Sequence, residues 1–250
     1  MADSSKNRPL LSLRDVGVNY SKGFSFRRNR LDRWVLRHIS FELHRGESLG
    51  VIGRNGIGKS TLLRTMAGIN HPDEGSVHLQ KNCNAALLTL GTGLMPELTG
   101  RKNIFLGGML LGMTREEIEA RYDDIVDFAE LGEYIDQPLN TYSSGMRSRL
   151  SFSLSLQRQP DILLLDEVLG VGDAAFKQKS IGVMKDLIKS DQTVVLVSHS
   201  GATIRELCTR AIWIEGGAIR AQGDPDEVVT QYEELLLGAK KKASAASDDM

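Results

Sequence analysis

The feature that most constrains this chain is a glycine-rich stretch that matches the pattern G-x-x-x-x-G-K-[ST]. It consists of Gly53, Arg54, Asn55, Gly56, Ile57, Gly58, Lys59, Ser60 and Thr61. The apolar run 49–52 precedes it and the helix-like run 61–67 follows, which predicts a strand, a tight loop and the start of a helix. Glycines let successive backbone amides turn toward an anion, and a helix N-terminus adds partial positive charge at the same point. The stretch therefore predicts a phosphate-binding loop.

The side chains at the end of this loop predict what it binds. In a loop of this pattern, Lys59 reaches the β- and γ-phosphates of a nucleotide. The Ser60 hydroxyl coordinates Mg²⁺, and Thr61 lies close enough for a further phosphate contact. We therefore expect a nucleoside triphosphate and Mg²⁺ as ligands.

Composition narrows the class of protein further. The 250 residues are 41% hydrophobic and 25% charged with a net charge of −1, a balance that predicts no nucleic-acid partner. Cys83 and Cys208 lie far apart and outside any C-x-x-C pattern, so neither a disulfide framework nor a zinc site is expected. This length allows one domain with a smaller lobe.

The compartment is predicted from the absence of targeting signals in the sequence. Residues 1–8 are polar and lack the apolar core of a signal peptide. No apolar run approaches the ~20 residues that a membrane helix needs. We therefore expect a cytosolic chain whose link to a membrane comes through a partner.

Alternating strand and helix patterns predict an α/β fold with a P-loop NTPase core and a mainly parallel sheet. Strands are predicted at 10–20, 35–43, 49–52, 76–80, 85–90, 162–165 and 193–197, with a short strand pair from Arg210 around a Gly216-Gly217 turn. Helices are predicted at 61–67, 114–131, 174–189 and 225–237, and from the turn at 142–145 to about 159. The opening strands predict an N-terminal antiparallel β part, and residues 95–158 predict an inserted helical lobe. Residues 10–237 then form the domain, between a disordered N-terminus at 1–9 and a disordered tail at 238–250.

Three polar side chains follow buried strands and complete the predicted site. Asp166 ends an apolar strand, where its carboxylate can hold the Mg²⁺ that Ser60 also binds. Glu167 is next in sequence and can act as general base on an attacking water. His199 follows another apolar strand and can stabilise charge that develops on the γ-phosphate. Together they predict hydrolysis of the bound nucleotide.

The stretch Ser143-Ser144-Gly145 offers hydroxyls and amides at a helix N-terminus, which is a second place where an anion could bind. An ordinary helix cap explains the same residues equally well. This stretch by itself leaves both interpretations open.

The motifs taken together resemble an ABC-type ATPase over residues 10–237. The resemblance is carried by the loop at 53–60, the signature-like Tyr142-Ser143-Ser144-Gly145-Met146, the strand ending in Asp166-Glu167, the loop with Asp173, and His199. It implies two ATP-binding domains that dimerise head to tail, here as a homodimer. It also implies that Ser143, Ser144 and Gly145 contact the ATP held by the opposite subunit. Asp173 would then be a dimer contact, and Tyr20 would stack on adenine.

Three stretches resemble the branch of that family that exports bacterial cell-surface polysaccharides such as O-antigen, teichoic acid and capsule. They are residues 87–93 followed by Pro96-Glu97-Leu98-Thr99-Gly100-Arg101, residues 142–146, and residues 166–173. The resemblance implies a multi-spanning membrane subunit and a lipid-linked glycan handled mainly by that subunit. The chain would lie peripherally on the cytoplasmic face of the inner membrane. An ATPase of another transporter and a soluble ABC-type assembly ATPase are the alternatives.

The chain departs from the family pattern in several places. Ser144 and Met146 stand where the signature has Gly and Gln, so a ribose contact by that Gln is not carried over. No glutamine lies between Gln80 and Gln137, and Thr89 or Leu90 stands near the usual place of the Q-loop residue. We expect no C-terminal carbohydrate-binding domain of the kind that some O-antigen exporters carry.

Two segments suggest how the chain could meet a membrane. The apolar segment 104–113 lies in the predicted lobe, and it is typical either of a docking groove for a membrane subunit or of helix core. The insertion at about 22–34, extended by its flank to residue 37, combines apolar residues, most of them aromatic, with basic residues. These are Phe24, Phe26, Leu31 and Trp34 with Arg27, Arg28, Arg30, Arg33 and Arg37. Such a segment can rest on an anionic membrane surface or form a solvated hairpin extension.

Overall fold

The computed structural model describes residues 8–20, 34–88, 93–157, 160–166, 170 and 172–248. The chain divides into two compact units. The first unit comprises Met1–Leu87, Asp161–Glu167 and Leu187–Met250, and the second comprises Leu88–Pro160 and Val168–Asp186.

The described residues form strands and helices in alternation. The strands are β1 (Leu11–Asn19), β2 (Trp34–Leu43), β3 (Ser48–Ile52), β4 (Glu74–Leu79), β5 (Ala85–Leu87), β6 (Ile162–Asp166), β7 (Thr193–Val197), β8 (Arg210–Glu215) and β9 (Ala218–Gly223). The helices are α1 (Lys59–Met66), α2 (Gly100–Leu110), α3 (Arg115–Ala129), α4 (Ser144–Ser155), α5 (Ala174–Lys189), α6 (Gly201–Leu207) and α7 (Pro225–Asp248). Two short 3-10 turns lie at Gly132–Asp136 and Leu139–Thr141.

The first unit contains two sheets. The larger has the strand order β5-β6-β7-β3-β8-β9, with parallel pairing from β5 through β8 and an antiparallel pair between β8 and β9. The smaller sheet is antiparallel in the order β2-β1-β4. The predicted fold class is confirmed: an α/β core with a mainly parallel sheet, an N-terminal antiparallel part and a helical lobe.

Burial explains why the central strands are continuous apolar runs rather than alternating ones. Every residue of β3 and of β7 is buried, as are Ile162 to Leu165 of β6. A strand in the middle of a parallel sheet loses solvent on both faces, so neither face keeps polar side chains. The polar groups fall at the strand ends, where the phosphate loop follows β3, Asp166 closes β6 and His199 comes soon after β7. Since β6, β7 and β3 are neighbours, one sheet edge carries all three.

The second unit is helical and has its own apolar core. Ile104, Ile118, Ile125, Leu139 and Leu150 are buried together in it. Its α3 begins with a capping box, in which the Thr114 amide donates to the Glu117 carboxylate and the Glu117 amide donates to the Thr114 hydroxyl.

The first part of α5 also belongs to the second unit, which the sequence did not predict. Phe176 on α5 packs edge to face on Phe128 and Phe152, with ring centroids 5.6 and 6.2 Å apart. Helix periodicity locates α5 but not the partner of its aromatic side chain, because the contact depends on residues far away in sequence.

Two helices differ from the sequence prediction. The seven-residue α6 was not predicted, because it is too short to show a helical period of apolar residues. The C-terminal helix α7 runs to Asp248 rather than ending near Leu237 before a disordered tail. Gly238 is its only strong breaker there, and the Lys- and Ala-rich residues that follow are good helix formers. None of the helices formed by the described residues is both long enough and apolar enough to span a bilayer.

A single buried asparagine organises the turn that leads into α2. Asn103 is fully buried, and its side-chain oxygen accepts from the Met95 amide at 2.7 Å. Its side-chain nitrogen donates to the carbonyl oxygens of Met95, Leu98 and Thr99 at 3.0, 3.1 and 3.0 Å. The side chain therefore replaces hydrogen bonds that the turn backbone cannot make to itself.

Replacing Asn103 with alanine is expected to lower the free energy of unfolding by about 2–3 kcal/mol, because buried backbone groups would lose their partners. Urea unfolding followed by circular dichroism would measure the loss. Asn140→Ala is the matched control, since Asn140 is exposed in a segment that contacts the same turn through its backbone. Equal stability of the two variants would contradict this role.

Candidate functional site

A pocket opens over the glycine-rich loop at the edge of the larger sheet. It is lined by Tyr20, Trp34, Val35, Asn55, Gly56, Ile57, Gly58, Lys59, Ser60, Thr61, Asp166, Gly216 and Gly217. The structure therefore brings most of the predicted loop together with Tyr20 and Asp166. Gly53 and Arg54 do not line the pocket, but their carbonyl groups hold Lys59.

The loop adopts its shape because three positions have no side chain. Gly56 and Gly58 have φ angles of 76° and 111°, which lie in the region that favours glycine. A Cβ on Gly58 would come within 2.9 Å of the Val35 side chain. A Cβ on Gly53 would lie 2.6 Å from the carbonyl oxygen of Ile214 on the neighbouring strand. Larger residues would force the loop away from the sheet edge.

The positive groups of the loop point to an anion. Lys59 is 6% exposed, and its ammonium group donates to the carbonyl oxygens of Gly53 and Arg54 at 2.7 and 3.0 Å. Helix α1 starts at Lys59 behind Gly58, which provides no side-chain cap, and its first turn contains no acidic residue. The N-terminal amides of α1 and a lysine thus concentrate positive charge at one end of the pocket.

Oxygen donors for a cation lie beside that charge. Ser60 is exposed at the start of α1, and Asp166 is half-buried at the end of β6; both line the pocket. Among the described residues, no group of three or more His, Cys, Asp and Glu side chains could hold a metal. One hydroxyl and one carboxylate suit Mg²⁺, which commonly takes its other oxygens from phosphate and water. Glu167 lies outside the described residues.

Two aromatic side chains also line the pocket. The Tyr20 ring is 55% exposed, and its hydroxyl lies 3.2 Å from the Thr61 hydroxyl and accepts from Asn70 at 3.2 Å. Trp34 lines the pocket beside it, with the Arg37 guanidinium 5.1 Å from the indole centroid. From the composition of the sequence around it, Trp34 was assigned to the basic-aromatic insertion, and its place in the pocket was not predicted. The rest of that insertion, residues 22–33, lies outside the described residues.

The sequence also missed the pocket role of the Gly216-Gly217 turn. Gly217 has a φ angle of 80°, and a Cβ there would lie 2.8 Å from the Val35 carbonyl oxygen. The Gly217 carbonyl accepts from the Arg37 amide at 2.8 Å. The turn between β8 and β9 was predicted, but its contact with the start of β2 depends on tertiary structure.

His199 lies where the sequence predicted it, two residues beyond the end of β7. It is exposed, between Ser198 and the helix cap Ser200, whose hydroxyl accepts from the Thr203 amide. Strand β7 pairs with β3, so His199 and the phosphate loop follow adjacent strands.

The second unit contains the remaining predicted residues. The Ser143 hydroxyl caps α4 by accepting from the Met146 amide at 3.1 Å, while Ser144 is exposed and Gly145 is half-buried. Met146 packs on the apolar core of this unit, which accounts for an apolar residue where the family signature has Gln. Thr89 and Leu90, near the Q-loop position, lie outside the described residues.

Asp173 begins α5 in the same unit. Its carboxylate accepts from the Phe176 amide at 3.1 Å and lies 3.8 Å from the Arg149 guanidinium. The Phe176 amide, followed by the charge of Arg149, lowers the pKa of Asp173. Arg149 lies on α4, so Asp173 and the signature-like helix are connected through one side chain.

Comparison with known proteins places this geometry in a family. The sequence model of the ABC transporter family matches residues 36–170. An O-antigen export system ATP-binding protein of Myxococcus xanthus is 45% identical over 84% of this chain and 48% of its own length. A teichoic acids export ATP-binding protein of Lactococcus lactis is 43% identical over 86% of this chain and 46% of its own length. The chain thus spans about half the length of these two relatives.

A third relative is covered more fully. It is an O-antigen export system ATP-binding protein of Klebsiella pneumoniae, 43% identical over 81% of this chain and 82% of its own length. These names confirm the resemblance to the polysaccharide-export branch.

Solved structures confirm the fold. An ATP-binding subunit of an ABC transporter superposes with a TM-score of 0.71 at 21% identity, covering 90% of this chain and 93% of that one. A dimeric ATP-binding cassette in a post-hydrolysis state, with ADP and Pi, gives a TM-score of 0.67 at 23% identity, covering 86% and 98%. From the family match over residues 36–170 and the relative of which 82% is covered, it follows that the chain belongs to the ABC transporter family.

Proposed function

We propose that the chain is the ATP-hydrolysing subunit that powers export of a lipid-linked, O-antigen-like cell-surface polysaccharide. It works as a homodimer with a separate multi-spanning membrane subunit, on the cytoplasmic face of the inner membrane. The observation that carries this proposal is its 43–45% identity to proteins named for O-antigen and teichoic acid export. The pocket over the glycine-rich loop supports the ATPase part of the proposal.

In the proposed ATP site, the triphosphate and the adenine both lie in this pocket. The triphosphate lies over residues 53–61, where the backbone amides and the N-terminus of α1 face it. Lys59 exchanges its loop carbonyl partners for β- and γ-phosphate oxygens. Tyr20 stacks on adenine. The contact of its hydroxyl with the Thr61 hydroxyl holds the ring beside the phosphate loop.

Ser60 and Asp166 would hold Mg²⁺, because both side chains line the pocket where the phosphates are placed. When bound, Mg²⁺ neutralises charge on the phosphate oxygens. Glu167, next to Asp166 in sequence, polarises the attacking water as general base, and His199 stabilises charge that develops on the γ-phosphate. The bond that breaks joins the γ-phosphorus to the β,γ-bridging oxygen, and the water oxygen takes its place.

Hydrolysis is coupled to dimer closure in this proposal. Ser143, Ser144 and Gly145 contact the ATP of the opposite subunit, and Asp173 lies at the dimer contact. The cap that Ser143 already forms on α4 is compatible with this role, because its exposed position leaves the hydroxyl accessible. ATP binding closes the dimer, and hydrolysis reopens it.

The helical unit is the proposed contact with the membrane subunit. The structure divides the apolar segment 104–113 into two parts: Ile104 is buried, whereas Met109 and Leu110 are 54% and 64% exposed. Large exposed apolar side chains at adjacent positions are characteristic of interaction surfaces. We assign docking to the exposed end of α2 and core packing to its buried residues.

Replacing Lys59 with methionine is expected to weaken ATP binding by about 10- to 100-fold, because a charge-assisted hydrogen bond to phosphate is lost. Calorimetric titration with ATP and Mg²⁺ would measure the change. Lys102→Met is the control, since Lys102 is an exposed lysine in the other unit. Binding that survives Lys59→Met unchanged would remove the phosphate loop from the site.

Replacing Glu167 with glutamine is expected to lower turnover by about 100-fold or more while leaving ATP binding intact, because the general base is lost. The variant should retain ATP in a closed dimer, which gel filtration and filter retention of labelled ATP would detect. Exposed Glu116, changed to Gln, is the matched control. Undiminished turnover in Glu167→Gln would exclude this residue as the base.

Replacing Leu110 with glutamate is expected to abolish recovery of a membrane subunit, because a charge would enter an apolar contact. The measurement is a pull-down of the tagged chain from native membranes in mild detergent, with mass spectrometry. Ile69→Glu is the control, since Ile69 is 61% exposed but lies in the other unit. Should even the unmodified chain recover only cytosolic proteins, the transport function would be wrong and the ATPase chemistry would stand.

A further inference from the structure

Helix α6 begins two residues after His199 and lies directly against α7. A Cβ on Gly201, the first residue of α6, would come within 2.4 Å of the Val229 side chain and 2.6 Å of the Glu233 carboxylate. Only a residue without a side chain fits between the two helices at this point. The start of α6 is therefore in contact with α7, with no space left for a side chain between them.

One turn later, Arg205 ties the same face of α6 to three residues of α7. Its guanidinium donates to both oxygens of Glu233 at 3.0 Å and to the Thr230 hydroxyl at 3.1 Å. Its Nε lies 3.2 Å from the Asp226 carboxylate. Gly201 and Arg205 are four residues apart and so share one helix face. Arg205 presents a planar fork of donors, which makes the connection directional.

Helix α6 also packs on the strand that carries the phosphate loop. A Cβ on Gly50 in β3 would lie 2.7 Å from the Ile204 side chain and 3.0 Å from the Cys208 sulfur. Helix α6 is thus held between β3 and α7.

The segment that carries His199 is short and depends on α6. On one side is β7, a fully buried strand paired with both β3 and β6. On the other side Ser200 caps α6, and the Ser200 amide donates to the Ser198 hydroxyl at 3.0 Å. The Ser198 amide also donates to the Val51 carbonyl of β3 at 3.2 Å, so the sheet holds the residue before His199 and α6 holds the residue after it.

We infer that Arg205 is a positioning residue for His199: by holding α6 against α7, it places the histidine at the end of β7. The inference rests on the proposed ATPase function, in which His199 stabilises the γ-phosphate. Helix α7 then contributes to the site indirectly, because the side chains that hold Arg205 lie on it.

The chain offers a matched control on the same short helix. Glu206 is the next residue of α6, and its carboxylate lies 3.8 Å from the ammonium group of Lys189 at the end of α5. Glu206→Gln therefore controls for the loss of a charge on α6, and the loss of its long, exposed ion pair should change stability little. The bonds to Asp226, Thr230 and Glu233 of α7 are made by Arg205.

The test compares Arg205→Gln, Arg205→Lys and Glu206→Gln in the full chain with ATP and Mg²⁺. Arg205→Gln is expected to lower kcat about 10-fold with the KM for ATP unchanged within about two-fold, because small displacements of a group that acts on the transition state chiefly reduce kcat. Arg205→Lys, which keeps the charge but not the fork, should fall between Arg205→Gln and the unmodified chain. In a His199→Ala background, Arg205→Gln should cause no further loss. Equal effects of Arg205→Gln and Glu206→Gln, or additive effects with His199→Ala, would overturn the inference.

Hydrogen exchange separates this inference from the proposed function. Amides from His199 to Thr203 should exchange about 10-fold faster in Arg205→Gln than in Glu206→Gln, because the start of α6 opens more often. Unchanged exchange there would overturn the role of Arg205 whatever the turnover. Absence of ATP hydrolysis in the unmodified chain would overturn the proposed function. The exchange result would still show whether Arg205 holds the segment that carries His199.

Discussion

The site depends on one steric constraint, the closure of the phosphate loop against the edge of the parallel sheet. Gly53 lies so near the Ile214 carbonyl, and Gly58 so near Val35, that neither position accepts a Cβ. Only with the loop in this place does the Lys59 ammonium reach the carbonyl oxygens of Gly53 and Arg54. The same closure aligns the N-terminus of α1 with the pocket. The proposed binding of phosphate therefore depends on the absence of side chains at Gly53, Gly56 and Gly58 as much as on the charge of Lys59.

A second organising contact lies in the helical unit, around Glu130. This residue ends α3 in a left-handed conformation, and its carboxylate lies 2.7 Å from the Lys179 ammonium and 3.5 Å from the Arg149 guanidinium. Arg149 also approaches Asp173, so α3, α4 and α5 meet through ionic contacts above the cluster of Phe128, Phe152 and Phe176. The signature-like residues and Asp173 are thus carried by helices that pack as one group within this unit.

Strands and helices were predicted correctly from the sequence where a pattern of neighbouring residues identifies them. The strands that are continuous apolar runs and the helix at Ala174–Lys189 were both predicted from neighbours along the chain. The sequence prediction was wrong about the extent of α7 and silent about α6, because neither a short helix nor the end of an Ala- and Lys-rich one leaves a clear period. Trp34 was assigned to the insertion because composition groups it with nearby arginines, whereas the structure places it in the pocket.

The sequence by itself determined the chemistry that this protein can carry, because the spacing of Lys59, Ser60 and the glycines specifies a phosphate loop wherever a strand leads into a helix. It also predicted that Asp166 ends a buried strand and that His199 follows another. Only the tertiary structure decided that β6, β7 and β3 are neighbours, so that these ends meet at one sheet edge. It alone placed Tyr20, Trp34 and the Gly216-Gly217 turn around the pocket and seated α6 between β3 and α7. The physical reason is that strand order and helix contacts are set by burial between residues distant in sequence, which a local pattern does not encode.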